Sequence, residues 1–276
     1  MDEPTSNVAF TPYEISFCLH DVMRTRMWKE AIEASVRPGD VVVDAGSGTG
    51  ILGVFAALAG ASRVYCIELH PRFARLIRHL AERNGVSDRV VVIAGDATRA
   101  TIPEPVDVLI CELLCTGQFF EPEVQVVRHL RQYLKPSARL VPNRVRSFVR
   151  LLDAQEQLYG VKIDCDSRST VLDSDEPVSS RALYDELDLR TVEASGVDTR
   201  VTLTATKTRI ADAVLIEGEA ELAPGIITVP TKFLYNPEVI FLTHSRTLTA
   251  GTDYALRIRY PYGGDTLDAI FAIEGA

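Results

Sequence analysis

The sequence predicts an α/β domain with a doubly wound, mostly parallel sheet, followed by an antiparallel β-barrel or sandwich domain. Two observations carry that prediction. Strand and helix signals alternate through the first half, and the strands are continuous apolar runs of the kind a sheet covered on both faces requires. After Pro142-Asn143 the pattern changes to β-branched and aromatic runs separated by turn residues.

Taken in order, Tyr13 to Glu33 places apolar residues at helical spacing, and Pro38-Gly39-Asp40 breaks it before the strand Val41–Val43. Ile51 to Leu58 is a helix of small residues, and Val64 to Ile67 a second strand. Pro71 opens a helix at a position where its missing N–H costs nothing, and Asn84-Gly85 closes it. Val90–Ile93 and Val106–Ile110 are two more buried strands, and Val124–Tyr133 is a helix stopped by Lys135-Pro136. The β-rich half follows with Val145–Leu152, Ala182–Val192, Val201–Thr206, Ala213–Leu222, Val239–Leu248, Tyr254–Tyr260 and Leu267–Ile273. The polar stretch Ser167–Ser180 reads as a loop.

Composition narrows the function. The chain has 276 residues, a net charge of −9 and a pI of about 5.1. That balance argues against a partner held by nucleic-acid phosphates and is compatible with a cationic one. The longest apolar stretch, Ile51 to Ala59, is too short for a membrane span, and Met1-Asp2-Glu3-Pro4 carries acid where a secretory signal needs positive charge, so a cytoplasmic protein is expected. Cys18, Cys66, Cys111, Cys115 and Cys165 form no Cys-x-x-Cys pair, the five histidines show no ligand spacing, and no metal is expected.

The most informative stretch is Val41-Val42-Val43-Asp44-Ala45-Gly46-Ser47-Gly48-Thr49-Gly50-Ile51-Leu52-Gly53. A buried strand ends in an acid and runs through a glycine turn into a helix, which is where open α/β sheets bind nucleotides. Gly48-x-Gly50-x-x-Gly53 literally matches the dinucleotide fingerprint, and Glu68 stands near the place of its ribose-binding acid, so a nicotinamide or flavin oxidoreductase is one reading. Against it, the turn begins earlier, at Gly46, and Asp44 would repel a pyrophosphate. S-adenosylmethionine has no phosphate and carries an ammonium, which suits that acid. The favoured reading is therefore a Rossmann-like methyltransferase, with S-adenosyl-L-methionine as cofactor and S-adenosyl-L-homocysteine as product. Its expected contacts are Asp44, Gly46, Gly48 and Gly50 in the loop, Glu68 on the ribose hydroxyls, and Asp96 or the backbone at Ala97 on the adenine.

Glu112 ends the fourth strand, and Glu121 follows nine residues later. Two carboxylates around a planar cation can bond both its edges and hold one nitrogen in line with a methyl sulfonium. An acid at the end of a buried strand is costly without such a partner. At these residues the chain resembles the protein arginine methyltransferases, whose acidic loop carries two glutamates at this spacing. Cys111 stands where the family has serine, and Asp44 to Leu52 matches the family's first motif. The resemblance implies that Arg24, in Leu19-His20-Asp21-Val22-Met23-Arg24-Thr25, holds the cofactor carboxylate. It also implies that Glu112 and Glu121 are catalytic. Residues 1–36 become a helical segment covering the cofactor, 37–142 the catalytic domain and 143–276 a substrate-binding β domain.

Two departures follow from the same comparison. Phe233-Leu234-Tyr235 stands where the family has Thr-His-Trp, and the acid that would pair with that histidine falls near Asn7. Thr243-His244 falls inside a strand instead. The span from Pro142 to Ser180 is short where the family places its dimerisation arm, so the oligomer stays open. The expected acceptor is a guanidino or amino group on a peptide, a protein or a small metabolite. O- or carboxyl methylation of a small molecule, and a silent binding protein, remain alternatives.

Overall fold

The structure is a computed structural model that describes residues 12–154, 157–158, 160–162 and 166–274. Its first half contains α1 (Pro12–His20), α2 (Val22–Ser35), β1 (Val41–Ala45), α3 (Ile51–Leu58), β2 (Arg63–Glu68), α4 (Pro71–Arg83), β3 (Val90–Ala94), β4 (Val106–Cys111), α5 (Glu123–Leu130) and β5 (Leu134–Val141). The five strands form one sheet in the order β3-β2-β1-β4-β5, paired in parallel throughout. The order reverses direction at β1, and in an open sheet that reversal opens the ligand crevice at the carboxyl ends of the strands. The register brings Ala45, Ile67 and Cys111 level there, so the residues that follow each of them share one rim.

The second half contains β6 (Arg144–Asp153), β7 (Gln157–Leu158), β8 (Val161–Lys162), β9 (Ser167–Arg168), β10 (Glu176–Pro177), β11 (Ala182–Asp188), β12 (Gly196–Thr204), β13 (Ile210–Ala223), β14 (Ile226–Ile227), β15 (Glu238–Thr247), β16 (Asp253–Pro261) and β17 (Ile270–Glu274). Its larger sheet runs β10-β6-β13-β15-β9 with β11 on β6 and β14 on β13, and a second sheet runs β12-β16-β17. The pairings of both are antiparallel. One apolar core runs through both halves, from Trp28, Ile67 and Leu109 to Leu151, Leu203 and Tyr260.

Four elements differ from the expectation. The helical run from Tyr13 is two helices, because Asp21 interrupts it and its side chain accepts from Arg24 N at 3.1 Å as an N-cap. Lys135-Pro136 does not merely end α5: both lie within β5, at the edge of the sheet, where a proline removes no ladder bond. β3 is the opposite edge and is half-buried rather than fully buried. Short strands β9 and β10 punctuate the expected loop from Ser167 to Ser180. His244 does lie inside a strand, β15, and is exposed. Asn7 and Cys165 fall outside the described residues. Among the described residues no helix is long and apolar enough to cross a membrane, and no cluster of metal-binding side chains occurs.

Candidate active site

The loop after β1 is built on three left-handed glycines, Gly46 (φ 71°), Gly48 (φ 52°) and Gly50 (φ 83°). Only glycine takes such angles without strain. Space is equally restrictive. A Cβ on Gly46 would lie 2.6 Å from Leu113 Cδ2, and one on Gly50 would lie 2.8 Å from Ile77 Cγ1. At Gly48 the nearest atom to such a Cβ is Ile15 Cγ2, 3.4 Å away on α1, so the N-terminal helix approaches the loop.

Three acids stand at or just beyond the carboxyl ends of the first three strands. Asp44 is fully buried beneath it and accepts from Gly53 N at 3.0 Å, while the Ser47 hydroxyl donates to the Asp44 carbonyl at 2.7 Å. Burial pushes its carboxyl up to about 7. Asp44 therefore shapes the loop from below, with one carboxyl oxygen held by the third residue of α3. Glu68 sits at the rim. One oxygen accepts from Gly48 N at 2.7 Å and the other from His70 N at 2.7 Å. Burial raises its carboxyl against those two bonds. Asp96 accepts from the Thr98 amide at 2.8 Å and the Thr98 hydroxyl at 2.7 Å, holding the turn that contains Ala97.

Beyond β4 the chain is clamped by the β domain. Thr116 Oγ1 donates to Asn236 O at 2.7 Å, Gly263 N to Gln118 O at 2.8 Å, and Phe120 N to Gly264 O at 2.9 Å. Gln118 (φ 59°) and Phe120 (φ 60°) are non-glycine residues in the left-handed region, a strain that surrounding contacts must enforce. Both amide atoms of the buried Gln118 side chain lack a partner.

Glu112 and Glu121 stand at the two ends of this loop. Arg24, on α2, donates to Glu112 Oε2, and both side chains are largely enclosed. Burial raises the Glu112 carboxyl even against the Arg24 charge. Glu121 is buried, and burial together with the charge of Glu112 pushes it up to about 8. The structure thus pairs Arg24 with Glu112 and places Glu121 within reach of the Glu112 charge.

Two contributors were not visible in the sequence. Glu123, the first residue of α5, is fully buried, and neither carboxyl oxygen has a hydrogen-bond partner. Burial, then the charges of Glu112 and Glu121, hold it far above the usual carboxylate range. Asp21 is the second. Its Oδ2 accepts from Phe233 N at 3.2 Å, and Phe17 stacks on Phe233 with ring centroids 5.2 Å apart. Burial would raise Asp21, but the bonds from the Arg24 and Phe233 amides and the Arg24 charge help hold it below the usual range. The turn at Phe233-Leu234-Tyr235 therefore has Asp21 as an acidic neighbour from the N-terminal segment, while Asn7 lies outside the described residues.

The family model "Ribosomal protein L11 methyltransferase (PrmA)" matches residues 21–141, which run from Asp21 through the whole parallel sheet. An arginine N(omega)-methyltransferase of Streptomyces achromogenes subsp. streptozoticus is 35% identical over 145 residues, 51% of this chain and 40% of that protein. The chain carries a class I methyltransferase fold and resembles the protein arginine methyltransferases. Protein arginine N-methyltransferase 6 of Xenopus laevis is 32% identical over 160 residues, 52% of this chain and 47% of that protein. An uncharacterised protein of Methanocaldococcus jannaschii is 35% identical over 172 residues, 62% of each chain. The chain thus spans between two fifths and two thirds of the length of these relatives. Among solved structures, a chain of the Trypanosoma brucei PRMT1 enzyme–prozyme heterotetrameric complex with AdoHcy superposes with a TM-score of 0.78 at 22% identity. That match covers 96% of this chain and 94% of the other, so the arginine methyltransferase-like fold includes the β domain as well as the parallel sheet.

Proposed function

We propose that this chain is an S-adenosylmethionine-dependent methyltransferase that N-methylates a guanidino group on a cationic peptide, protein or small metabolite. The observation that carries the reading is the meeting of Arg24, Glu112 and Glu121 beyond the carboxyl end of β4, beside the glycine loop. Relatives with arginine methyltransferase names support the same chemistry.

The loop fits a nucleoside better than a dinucleotide. The Glu68 carboxylate already takes the Gly48 amide, so a fixed negative charge stands where a pyrophosphate would have to lie. A ribose has the opposite requirement, because its two hydroxyls donate to both Glu68 oxygens. The left-handed turn at Gly46–Gly50 puts glycine at three points where an added Cβ would press on or approach Leu113, Ile15 or Ile77. Arg24 would hold the carboxylate of the bound cofactor, and the Asp96–Ala97 turn would meet the adenine. When bound, S-adenosylmethionine supplies an electrophilic methyl group on a sulfonium.

The acceptor's guanidinium enters between Glu112 and Glu121. Each carboxylate can accept two parallel N–H bonds, which fixes the plane of the group and aims one nitrogen. They also draw positive charge toward the nitrogens they bind, leaving more lone-pair density on the one that attacks. With the cofactor bound, that nitrogen is the one that would accept the methyl group it supplies, giving up one proton. Glu121, held near 8, is the carboxylate suited to take that proton and pass it to solvent.

The test is incubation with S-adenosylmethionine and matched guanidino, amino and carboxylate acceptors, read by mass spectrometry. Methyl transfer to the guanidino compound and loss of turnover in Glu112→Gln are expected. Turnover only on a carboxylate or hydroxyl acceptor would replace this reading with O-methylation.

A further inference from the structure

Glu123 has no part in the chemistry described so far, yet it is the most costly side chain in the site. It is 0% exposed, both oxygens lack a partner, and it stands two residues beyond Glu121, whose charge, with that of Glu112, bears on it. A leucine of similar length would bury there without penalty, whereas an unsatisfied buried carboxyl costs about 1–3 kcal/mol or more. Tyr235 shares the condition. Its hydroxyl is buried and unpartnered, and the charges bearing on it most strongly are those of Glu123 and then Glu112. Its backbone is held at φ 52°, and its ring lies on Gly218, where a Cβ would stand 2.2 Å from ring Cδ1. Two buried polar groups without partners, one from α5 and one from the turn after β14, thus both feel the charge of Glu112.

A guanidinium on a single carbon chain has five N–H donors in one plane. Glu112 and Glu121 can take two each. One donor is left over, and a third acceptor satisfies it only if no methyl group has replaced the hydrogen.

We propose that Glu123, with Tyr235 beside it, is a third acceptor of the guanidinium pocket and a specificity-determining residue that selects an unmethylated guanidino group over one already methylated. The inference rests on the guanidino reading of the site. Its consequence is that transfer stops after one methyl group, because the product leaves Glu123 facing a methyl instead of an N–H.

The experiment compares arginine with ω-N-methylarginine, each free and within a glycine-flanked peptide. The readouts are kcat/KM by S-adenosylhomocysteine release, product mass, and S-adenosylhomocysteine affinity by calorimetry. In the wild-type protein, kcat/KM for arginine exceeds that for the methylated acceptor by roughly 10-fold or more, the ratio expected for one unsatisfied buried partner. Glu123→Leu keeps S-adenosylhomocysteine affinity, melts at a higher temperature, and loses most of that preference. Tyr235→Phe moves the ratio in the same direction and serves as the second reading should Glu123→Leu not fold. A wild-type protein that accepts both compounds equally overturns the inference whatever the variants do. So does a folded Glu123→Leu with unchanged preference, and in both cases the guanidino reading stands. If the wild-type protein methylates amino or hydroxyl acceptors but no guanidino compound, the guanidino reading falls and this inference falls with it.

Discussion

The guanidinium of Arg24 donates to the carboxylate of Glu112, joining α2 to the end of β4 across 88 residues. Each would otherwise be a buried charge without a counter-ion. The group proposed to hold the cofactor carboxylate and the group proposed to hold the acceptor thus neutralise each other while neither ligand is bound. Glu112→Gln removes the charge and keeps the shape. Turnover is expected to fall by at least roughly 10²-fold, about 2.7 kcal/mol, with little change in cofactor Kd. Single-turnover methylation and calorimetry separate the two, and near-wild-type turnover would remove this loop from the mechanism.

Glu68→Ala is expected to weaken S-adenosylhomocysteine binding by about 1–3 kcal/mol, the range for a lost charge-assisted bond. The Gly48 and His70 amides also lose their acceptor, so hydrogen exchange at those two positions should quicken. Unchanged affinity would place the ribose elsewhere.

Glu121 has its carboxyl near 8 in the ligand-free protein, far above its ordinary range. A cationic acceptor favours the ionised form, so binding releases a proton and tightens as pH climbs through about 8. Folding responds in the opposite sense. The unfolded chain ionises this group near 4.5 and the folded chain near 8, so the folded state loses relative stability as pH rises across that window. Glu121→Gln should flatten both slopes, as read by calorimetry in buffers of different ionisation enthalpy and by melting temperature against pH.

Gly263→Ala tests the clamp on the acidic loop. Gly263 has φ 71°, and an added Cβ would lie 2.9 Å from Gln125 Nε2 and 3.4 Å from Glu121 O. The expected result is reduced kcat with cofactor Kd unchanged, since the glycine loop is built from other residues. Equal losses in both would mean that the clamp and the cofactor site are one unit.

Much of the parallel sheet was legible because each strand is an apolar run ended by a chemically distinctive residue. Asp44-x-Gly46, Glu68 and Glu112 all mark the rim where the register aligns the strand ends. What escaped has a common physical cause, which is that its meaning depends on a distant partner. Glu123 beside Pro122 looks like an ordinary acid in a first helical turn, and only its burial distinguishes it. Asp21 reads as part of a helix until its bond to Phe233, 212 residues away, is seen. Pro136 marks a stop by local rules and is tolerated in a strand only because that strand is the sheet edge. The orientation of Asp44 was not legible because a sequence gives a strand-end acid no direction, and one of its oxygens takes the Gly53 amide in α3.

The bonds that Thr116 in the acidic loop and Gln125 in α5 donate to the Asn236 and Tyr262 carbonyls join residues 120 and 137 positions apart. During synthesis the cofactor rim is complete once β5 has emerged, but the loop that receives the acceptor must wait for strands near the far end of the chain. Loop closure over such distances is slow compared with local structure. The acceptor side of the site is thus tied to the far end of the chain, and its acidic loop is fixed only once strands more than a hundred residues further on have packed against it.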